Sequence, residues 1–452
     1  MKRNVLLIAN YSVKAEAFVQ YWPDDMWDLH LYSYQKNEWF AGMSDRFGAK
    51  WIAHLPEKSK YRFAGDRSIK KTKKKNASRT YIQKKRKIRR FLQHRLLRLY
   101  KQNVLNWGIP NIIELKAKNN WVRPDLVISV YEPFAANLIA RQISNFYKIP
   151  WIAYFRDHCT TYREMIRVPG LWHLQSVCDR WINSSANRLV GVSQQFVDIL
   201  SRYYDISPKN AHVITGGFND SNLPEDIRNR CIKRRFASNL SFSDRPNAAT
   251  PLKVSYIGKL YKHQVQSLLL IFNALLVLLN NKVPVEFRLI LSNASYFFPK
   301  QVKLAIEKLE QSSIRMNFSP IRIDYRRALE VLEVSDVNTI VEGLNPPHNT
   351  TGTVTGKIFD LMMIAKPVVA VCASSLPIGN YLHETGIGTN CENTEDIVNA
   401  LMEVWRSKNG EDIPKWYFPD GYAIEKYSYK SMAKQMHNLC EDTYNKTLAD
   451  IK

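Results

Sequence analysis

Short apolar runs rich in Val, Ile and Leu recur along the chain, separated by longer stretches of helical period. In the first half they are NVLLIA (4–9), DLHLYS (28–33), DLVISVY (125–131), PWIAYF (150–155), RLVGV (188–192) and AHVIT (211–215). The second half repeats the design with LKVSYI (252–257), VEFRLIL (285–291), PIRID (320–324), VNTIV (337–341) and PVVAV (367–371). Helix-like segments fall between several of them, such as Phe134 to Tyr147 and Gln194 to Tyr204. Uninterrupted apolar strands alternating with helices predict a parallel sheet covered on both faces. Because the pattern occurs twice, it predicts two doubly wound, Rossmann-like α/β domains facing a central cleft, with ligands bound outside the carboxyl ends of the strands. The boundaries that follow are a first domain over 1–218, a polar stretch without clear period over 219–250, a linker or peripheral elaboration, and a second domain over 251–420. A final helical segment over 421–452, periodic from Tyr429 to Leu448, is placed to pack back on the first domain.

Length and composition agree with this picture. The chain has 452 residues, 45% of them hydrophobic and 23% charged, which suits two folded cores and excludes a disordered chain, a coiled coil or a collagen-like fibre. The N-terminal apolar run stops after five residues at Asn10, too short for a signal peptide, and reads as a first buried strand. The apolar stretch Val265 to Leu279 is interrupted by Gln266, Ser267 and Asn273 and reads as a core helix. Six cysteines share no CxxC spacing, so neither a zinc site nor a disulfide scaffold is expected, and a reducing, cytoplasmic setting fits.

Charge changes the picture more. Of the formal net charge of +24, residues 58–101 hold +18, nineteen Lys or Arg against Asp66 alone. KKTKKKNASRT (70–80) is too charged to pack and predicts a solvated loop. From Ile88 onward, Phe91, Leu92, Leu96, Leu99 and Tyr100 recur at roughly helical spacing with arginines interleaved, a basic amphipathic pattern suited to an anionic membrane surface. The alternative is a helix whose apolar face joins the core. Specific nucleic-acid binding is not expected, because no base-stacking, zinc-finger or helix-turn-helix motif accompanies the charge.

Candidate chemistry gathers just past the predicted strands. In VSYIGKLYKH (254–263), Gly258 would allow close approach of a ligand, and Lys259 and Lys262 would present two amines suited to a diphosphate, or else a tight turn with two solvated lysines. In NTTGTVTGKIFDLMMIAKPVVAV (349–371), small hydroxyl-bearing residues including Thr355 and Gly356 lead into a helix from Lys357 to Ile364. Backbone amides at a helix start attract phosphate; Lys357 adds a full charge, and Asp360, one turn on and on the same face, could accept ribose hydroxyls. In the first domain, IPWIAYFRDHCT (149–160) sets Arg156, Asp157 and His158 after a buried strand, with roles in holding or deprotonating a substrate or in tying loops together. Glu132 follows the preceding strand in the same way. Ser193 is a predicted helix N-cap with possible ligand contact, and Gly216 and Gly217 in ITGGFND suit a hinge or close backbone approach.

The order of YFRD, ANRLVGVS, VITGGFND, YIGKLY and TGKIFDLMMIAKPVVAV, from about residue 125 to 405, resembles retaining nucleotide-sugar glycosyltransferases of the GT-B fold, in the family-4-like group. The resemblance implies that the second domain binds the nucleotide diphosphate of a sugar donor. Lys259 and Lys262 would contact the diphosphate, and Asp360 would replace the family's ribose-binding glutamate. Arg156 would line the sugar and acceptor side, where many relatives carry histidine beside an aspartate. Neither a metal nor a cofactor is implied beyond the nucleotide sugar as co-substrate. Three positions depart from the family pattern: Gly352 stands at its first glutamate, Lys262 precedes His263 rather than glycine, and ANYSVKAEAF replaces the glycine-rich loop after the first strand. The function expected is sugar transfer from a nucleotide diphosphate to a lipid-linked or saccharide acceptor, at the cytoplasmic face of a membrane in cell-surface polysaccharide or glycolipid assembly. Alternatives are a nucleotide-sugar epimerase or hydrolase, or a non-catalytic scaffold, on the same fold.

Overall fold

A computed structural model describes residues 2–9, 13–23, 25–33, 50–54, 121–131, 134–156, 171–237, 250–294, 297–346 and 352–451. The basic segment 58–101 and the candidates Glu132, Asp157 and His158 lie outside the described residues. The chain divides into two compact units, Met1–Ile214 with Ala433–Lys452, and Thr215–Met432.

The first unit contains β1 (Arg3–Ile8), α1 (Val13–Tyr21), β2 (Trp27–Ser33), β3 (Lys50–His54), β4 (Leu126–Val130), α2 (Phe134–Tyr147), β5 (Trp151–Tyr154), α3 (Leu171–Asn183), β6 (Arg188–Gly191), α4 (Gln194–Tyr204) and β7 (Ala211–Val213). Its strands form one parallel sheet in the order β3-β2-β1-β4-β5-β6-β7. All five residues of β4 and all four of β5 are buried, as strands covered on both faces require.

The second unit contains α5 (Glu225–Arg235), β8 (Leu252–Gly258), α6 (Val265–Asn280), β9 (Val285–Leu291), α7 (Lys300–Glu310), β10 (Arg315–Ser319), α8 (Tyr325–Val334), β11 (Val337–Val341), α9 (Lys357–Ile364), β12 (Val368–Val371), α10 (Ile378–Thr385), β13 (Gly388–Cys391), α11 (Thr394–Lys408) and α12 (Gly421–Glu425). Its parallel sheet runs β10-β9-β8-β11-β12-β13. One face is covered by α6, α7 and α11 through residues such as Leu268, Ile271, Leu275, Val302 and Leu401. The other is covered by α5, α8, α9 and α10 through Cys231, Leu329, Ile358, Met362 and Leu382. The segment Lys262–Asn280 is long and apolar enough to cross a membrane, but its buried residues Leu268, Ile271, Phe272, Leu275 and Leu278 belong to this core. Each such side chain contributes roughly 1.5–3 kcal/mol by burial.

The last helix, α13 (Tyr429–Ile451), begins in the second unit and passes to the first at Ala433. There Glu441 accepts hydrogen bonds from both Arg3, at 2.7 Å, and Trp27 Nε1, at 3.1 Å. The Arg3 guanidinium also lies 4.5 Å from the Tyr444 ring centre.

Two readings of the sequence need correction. The strand expected at 320–324 lies instead at β10, 315–319, where Met316 and Phe318 alternate with polar residues. Pro320 supplies no N–H to a ladder, and Asp324 caps α8 by accepting from the Arg327 N–H at 3.0 Å. The stretch 219–250 is not without regular structure, because it contains α5. The buried stripe of α5 is Ile227, Cys231 and Arg235. An arginine in the third position hides the helical period. Arg235 is 1% exposed, and its two terminal nitrogens donate to Asp220, at 2.8 and 2.9 Å, and to Glu425, at 2.9 Å.

Candidate functional site

In each sheet the strand order reverses at one point, between β1 and β4 in the first unit and between β8 and β11 in the second. Ligands of open α/β sheets bind outside the carboxyl ends of the strands at that reversal. In the second unit these ends are Gly258 and Glu342, the residue after β11, and the residues gathered there belong to three elements.

Helix α9 is apolar on nearly all sides: Ile358, Phe359, Leu361, Met362, Met363 and Ile364 are buried. Lys357 and Asp360 are its only polar side chains, and both are half-buried. No side chain caps its N-terminus at Gly356. The preceding Gly352 has φ +80°, a left-handed conformation that favours glycine, so the backbone itself explains why no side chain stands there. The helix stops at Ala365, also left-handed at φ 52°, and Pro367 leads into β12.

Lys357 reaches across to β8. Its Nζ donates to the Tyr256 hydroxyl at 3.4 Å and lies 4.8 Å from the Tyr256 ring centre. The Tyr256 hydroxyl in turn donates to the Lys259 carbonyl at 3.0 Å. A Cβ on Gly258 would collide with the Lys357 ammonium; glycine ends β8 here because the lysine needs its space. Burial alone would lower the Lys357 pKa, but the Tyr256 oxygen and the Glu342 carboxylate outweigh it and raise the value above that of an ordinary lysine. Glu342 is held by Gln264, which donates to its Oε2 at 2.7 Å. Sequence reasoning singled out Glu132 after a strand but missed Glu342, which stands in the same kind of position after β11, and missed Tyr256 as the link between strand and lysine.

Asp360 turns away from Lys357, and the two make no ion pair. Its Oδ1 accepts from the Tyr325 hydroxyl, at the start of α8, at 2.6 Å. Burial raises the Asp360 carboxyl to about 6 against the lowering effect of that hydrogen bond. Lys259 and Lys262 are exposed, Lys262 opening a single 3-10 turn. Thr355 and Gly356 contribute carbonyls to the first turn of α9, accepting from the N–H groups of Ile358 at 3.3 Å and Phe359 at 3.2 Å.

In the first unit, Arg156 is half-buried, two residues past β5. Ser193 caps α4, accepting from the Phe196 N–H at 3.1 Å. Gly217 belongs to the second unit and lies where a Cβ would be 2.6 Å from Met432 Sδ and 2.7 Å from the Tyr427 oxygen, and the next residue, Phe218, forms a parallel bridge with Ser428. Close approach thus accounts for this glycine. Glu16, in the first turn of α1 just past β1, is 9% exposed, and burial pushes its carboxyl up to about 7. Sequence reasoning did not single out Glu16 within ANYSVKAEAF. Among the described residues no three His, Cys, Asp or Glu side chains form a group able to hold a metal ion, and Cys178, Cys231, Cys372, Cys391 and Cys440 are all free.

No family profile matches the chain, and no curated protein sequence is similar to it at a significant level. Solved structures are similar in fold. HepE from Anabaena in complex with UDP and glucose is 11% identical over 97% of this chain and 99% of its own, with a TM-score of 0.52. A glycosyltransferase from Rickettsia africae ESF-5 is 12% identical over 98% of each chain, with a TM-score of 0.52. Sucrose-phosphate synthase from Thermosynechococcus elongatus is 12% identical over 98% of this chain and 100% of its own, with a TM-score of 0.50. With two parallel sheets flanked by helices, the chain has the two-domain, Rossmann-like α/β architecture of the GT-B fold.

Proposed function

We propose that this protein is a glycosyltransferase that moves a sugar from a nucleoside diphosphate donor to an acceptor hydroxyl. The observation that carries the reading is the Lys357 ammonium, lodged against Gly258 and Tyr256 where β8 and β11 end and α9 begins. As the bond between the sugar and the diphosphate breaks, negative charge builds on the leaving diphosphate. A preorganised ammonium at the start of α9 is suited to stabilise it. Asp360 takes the ribose, and Lys259 and Lys262 extend the positive surface. On the acceptor side the reading assigns Arg156 to substrate binding and Asp157 to orienting the acceptor or accepting its proton. Retention of configuration and independence from metal or other cofactors belong to the same proposal. A lipid-linked or saccharide acceptor at the cytoplasmic face of a membrane, in polysaccharide or glycolipid assembly, is supported by the concentration of charge in 58–101.

The test is a thermal-shift screen with UDP, GDP, ADP, CMP and their sugar conjugates, uridine nucleotides first because HepE is seen with UDP. A ligand at a hundred times its Kd stabilises by about 2.7 kcal/mol. Lys357→Ala should abolish the shift. Arg156→Ala should keep it while removing sugar transfer. The reverse pattern would show that donor and acceptor sides are assigned the wrong way round.

A further inference from the structure

The carboxylate of Asp360 is shared. One oxygen, Oδ1, receives the Tyr325 hydroxyl at 2.6 Å, the length of a hydrogen bond to an ionised oxygen. Tyr325 is the first residue of α8, whose start is fixed by the Asp324 cap. It is 46% exposed, so its phenol head is a polar contact and not a core filler. Asn222 and Tyr429 also face this hydroxyl. On its own helix the nearest charge to Asp360 is Lys357, which is committed to Tyr256. Among the described residues, Tyr325 is therefore the one group that both orients the carboxylate and favours its ionised form.

Resting on the donor reading above, we propose that Tyr325 is a positioning residue for nucleoside recognition: its hydroxyl fixes the Asp360 carboxylate so that the remaining oxygen receives the ribose hydroxyls of a nucleoside diphosphate sugar. An aspartate side chain pinned from α8 presents one oxygen in one direction. Without the pin it rotates about its terminal bond, and half-burial drives it toward the neutral acid, which accepts hydrogen bonds poorly. Burial already holds the Asp360 carboxyl at about 6, with the Tyr325 bond opposing that rise. Removing the hydroxyl must push it higher.

The experiment is calorimetric titration of the full chain with UDP-glucose and with GDP-mannose between pH 5 and 8.5. Neither probe carries a phosphate that titrates in that window. In the wild-type protein, affinity for the bound probe should fall below about pH 6, by up to about tenfold per pH unit. In Tyr325→Phe, which keeps the ring and the fold, that fall should begin about one pH unit or more higher, the size expected for losing a hydrogen bond to a charged group. In Asp360→Asn the pH step should vanish. A Tyr325→Phe protein with the wild-type pH profile would overturn the positioning role while leaving the donor reading standing. Failure of the wild-type protein to bind either probe at pH 8, together with no response to any nucleotide or nucleotide sugar of the thermal-shift screen, would overturn both.

Discussion

Gly258→Ala tests whether the ammonium of Lys357 is held where the fold puts it. The backbone of Gly258 is ordinary extended strand, so alanine is tolerated there, and the substitution by itself stabilises by about 0.4–1 kcal/mol through the unfolded chain. The added methyl would occupy the place of Lys357 Nζ, with Lys357 Cε at 3.0 Å and the Tyr256 hydroxyl at 3.2 Å. The flexible end of the lysine is the part that gives way, and the ammonium leaves Tyr256. A hydrogen bond to a charged group contributes about 1.5–3 kcal/mol, so loss of the one the placed ammonium would make to the donor should lower affinity by roughly 10- to 150-fold. Isothermal titration with the nucleotide selected by the thermal-shift screen, on wild type, Gly258→Ala, Lys357→Ala and the double variant, reads this directly. If both changes act through the same ammonium, the double variant binds no more weakly than Lys357→Ala. Urea melts should place Gly258→Ala within about 1 kcal/mol of wild type. Wild-type affinity in Gly258→Ala, beside weak binding in Lys357→Ala, would refute the idea that this glycine places the lysine. A further loss in the double variant would show that Gly258 meets the ligand by another route.

The buried acid of the first unit gives a pH-dependent prediction. Burial raises the Glu16 carboxyl from 4.5 to about 7, so its contribution to stability is fully present below pH 4.5 and lost as pH rises through 7, a span of about 3 kcal/mol. Glu16→Gln should match wild type in urea melts near pH 4.5 and exceed it by up to about that amount at pH 8; identical slopes in the two proteins would contradict this. For the basic segment, replacing Lys70, Lys71, Lys73, Lys74 and Lys75 by Gln should weaken binding to vesicles of mixed anionic and zwitterionic lipid at least tenfold, since each cation near such a surface contributes about 1 kcal/mol. Undiminished vesicle binding would remove the basis for the membrane proposal.

Much of the fold is legible in the sequence because the strands of the two sheets are buried on both faces. Runs such as DLVISVY and PVVAV have little other use, the helix Gln194 to Tyr204 announces itself by period and by Ser193 at its start, and Lys357 to Ile364 is marked by the small, hydroxyl-bearing residues before it and Pro367 after it. What escaped is what burial does not write. β10 is an edge strand with half-exposed residues, and β13 is GTNC, with no aliphatic core of its own. α5 hides its stripe behind Arg235, a buried cation whose partners Asp220 and Glu425 lie 15 and 190 residues away. A pattern of hydrophobic positions cannot report a charge that is buried because it is paired.

The site divides along the same line. Gly258 and Lys357 are each readable as local features, a glycine after a strand and a lysine at a helix start, but they are 99 residues apart, and only the pairing of β8 with β11 brings their elements together. Periodicity put Lys357 and Asp360 on one face and suggested a shared role. The structure separates them, because each finds a better partner across the sheet end: Tyr256 for the ammonium and Tyr325 for the carboxylate. Those two tyrosines carry no sequence signal of function, yet they decide what the charges can do. An ammonium kept charged beside a phenol suits a phosphate, and a carboxylate held near its point of ionisation suits a pair of hydroxyls. On the proposed reading the ammonium would meet the phosphate, and the carboxylate the ribose, of one nucleoside diphosphate. That is why the chemistry of the second unit, and not its fold alone, supports a nucleotide-sugar donor.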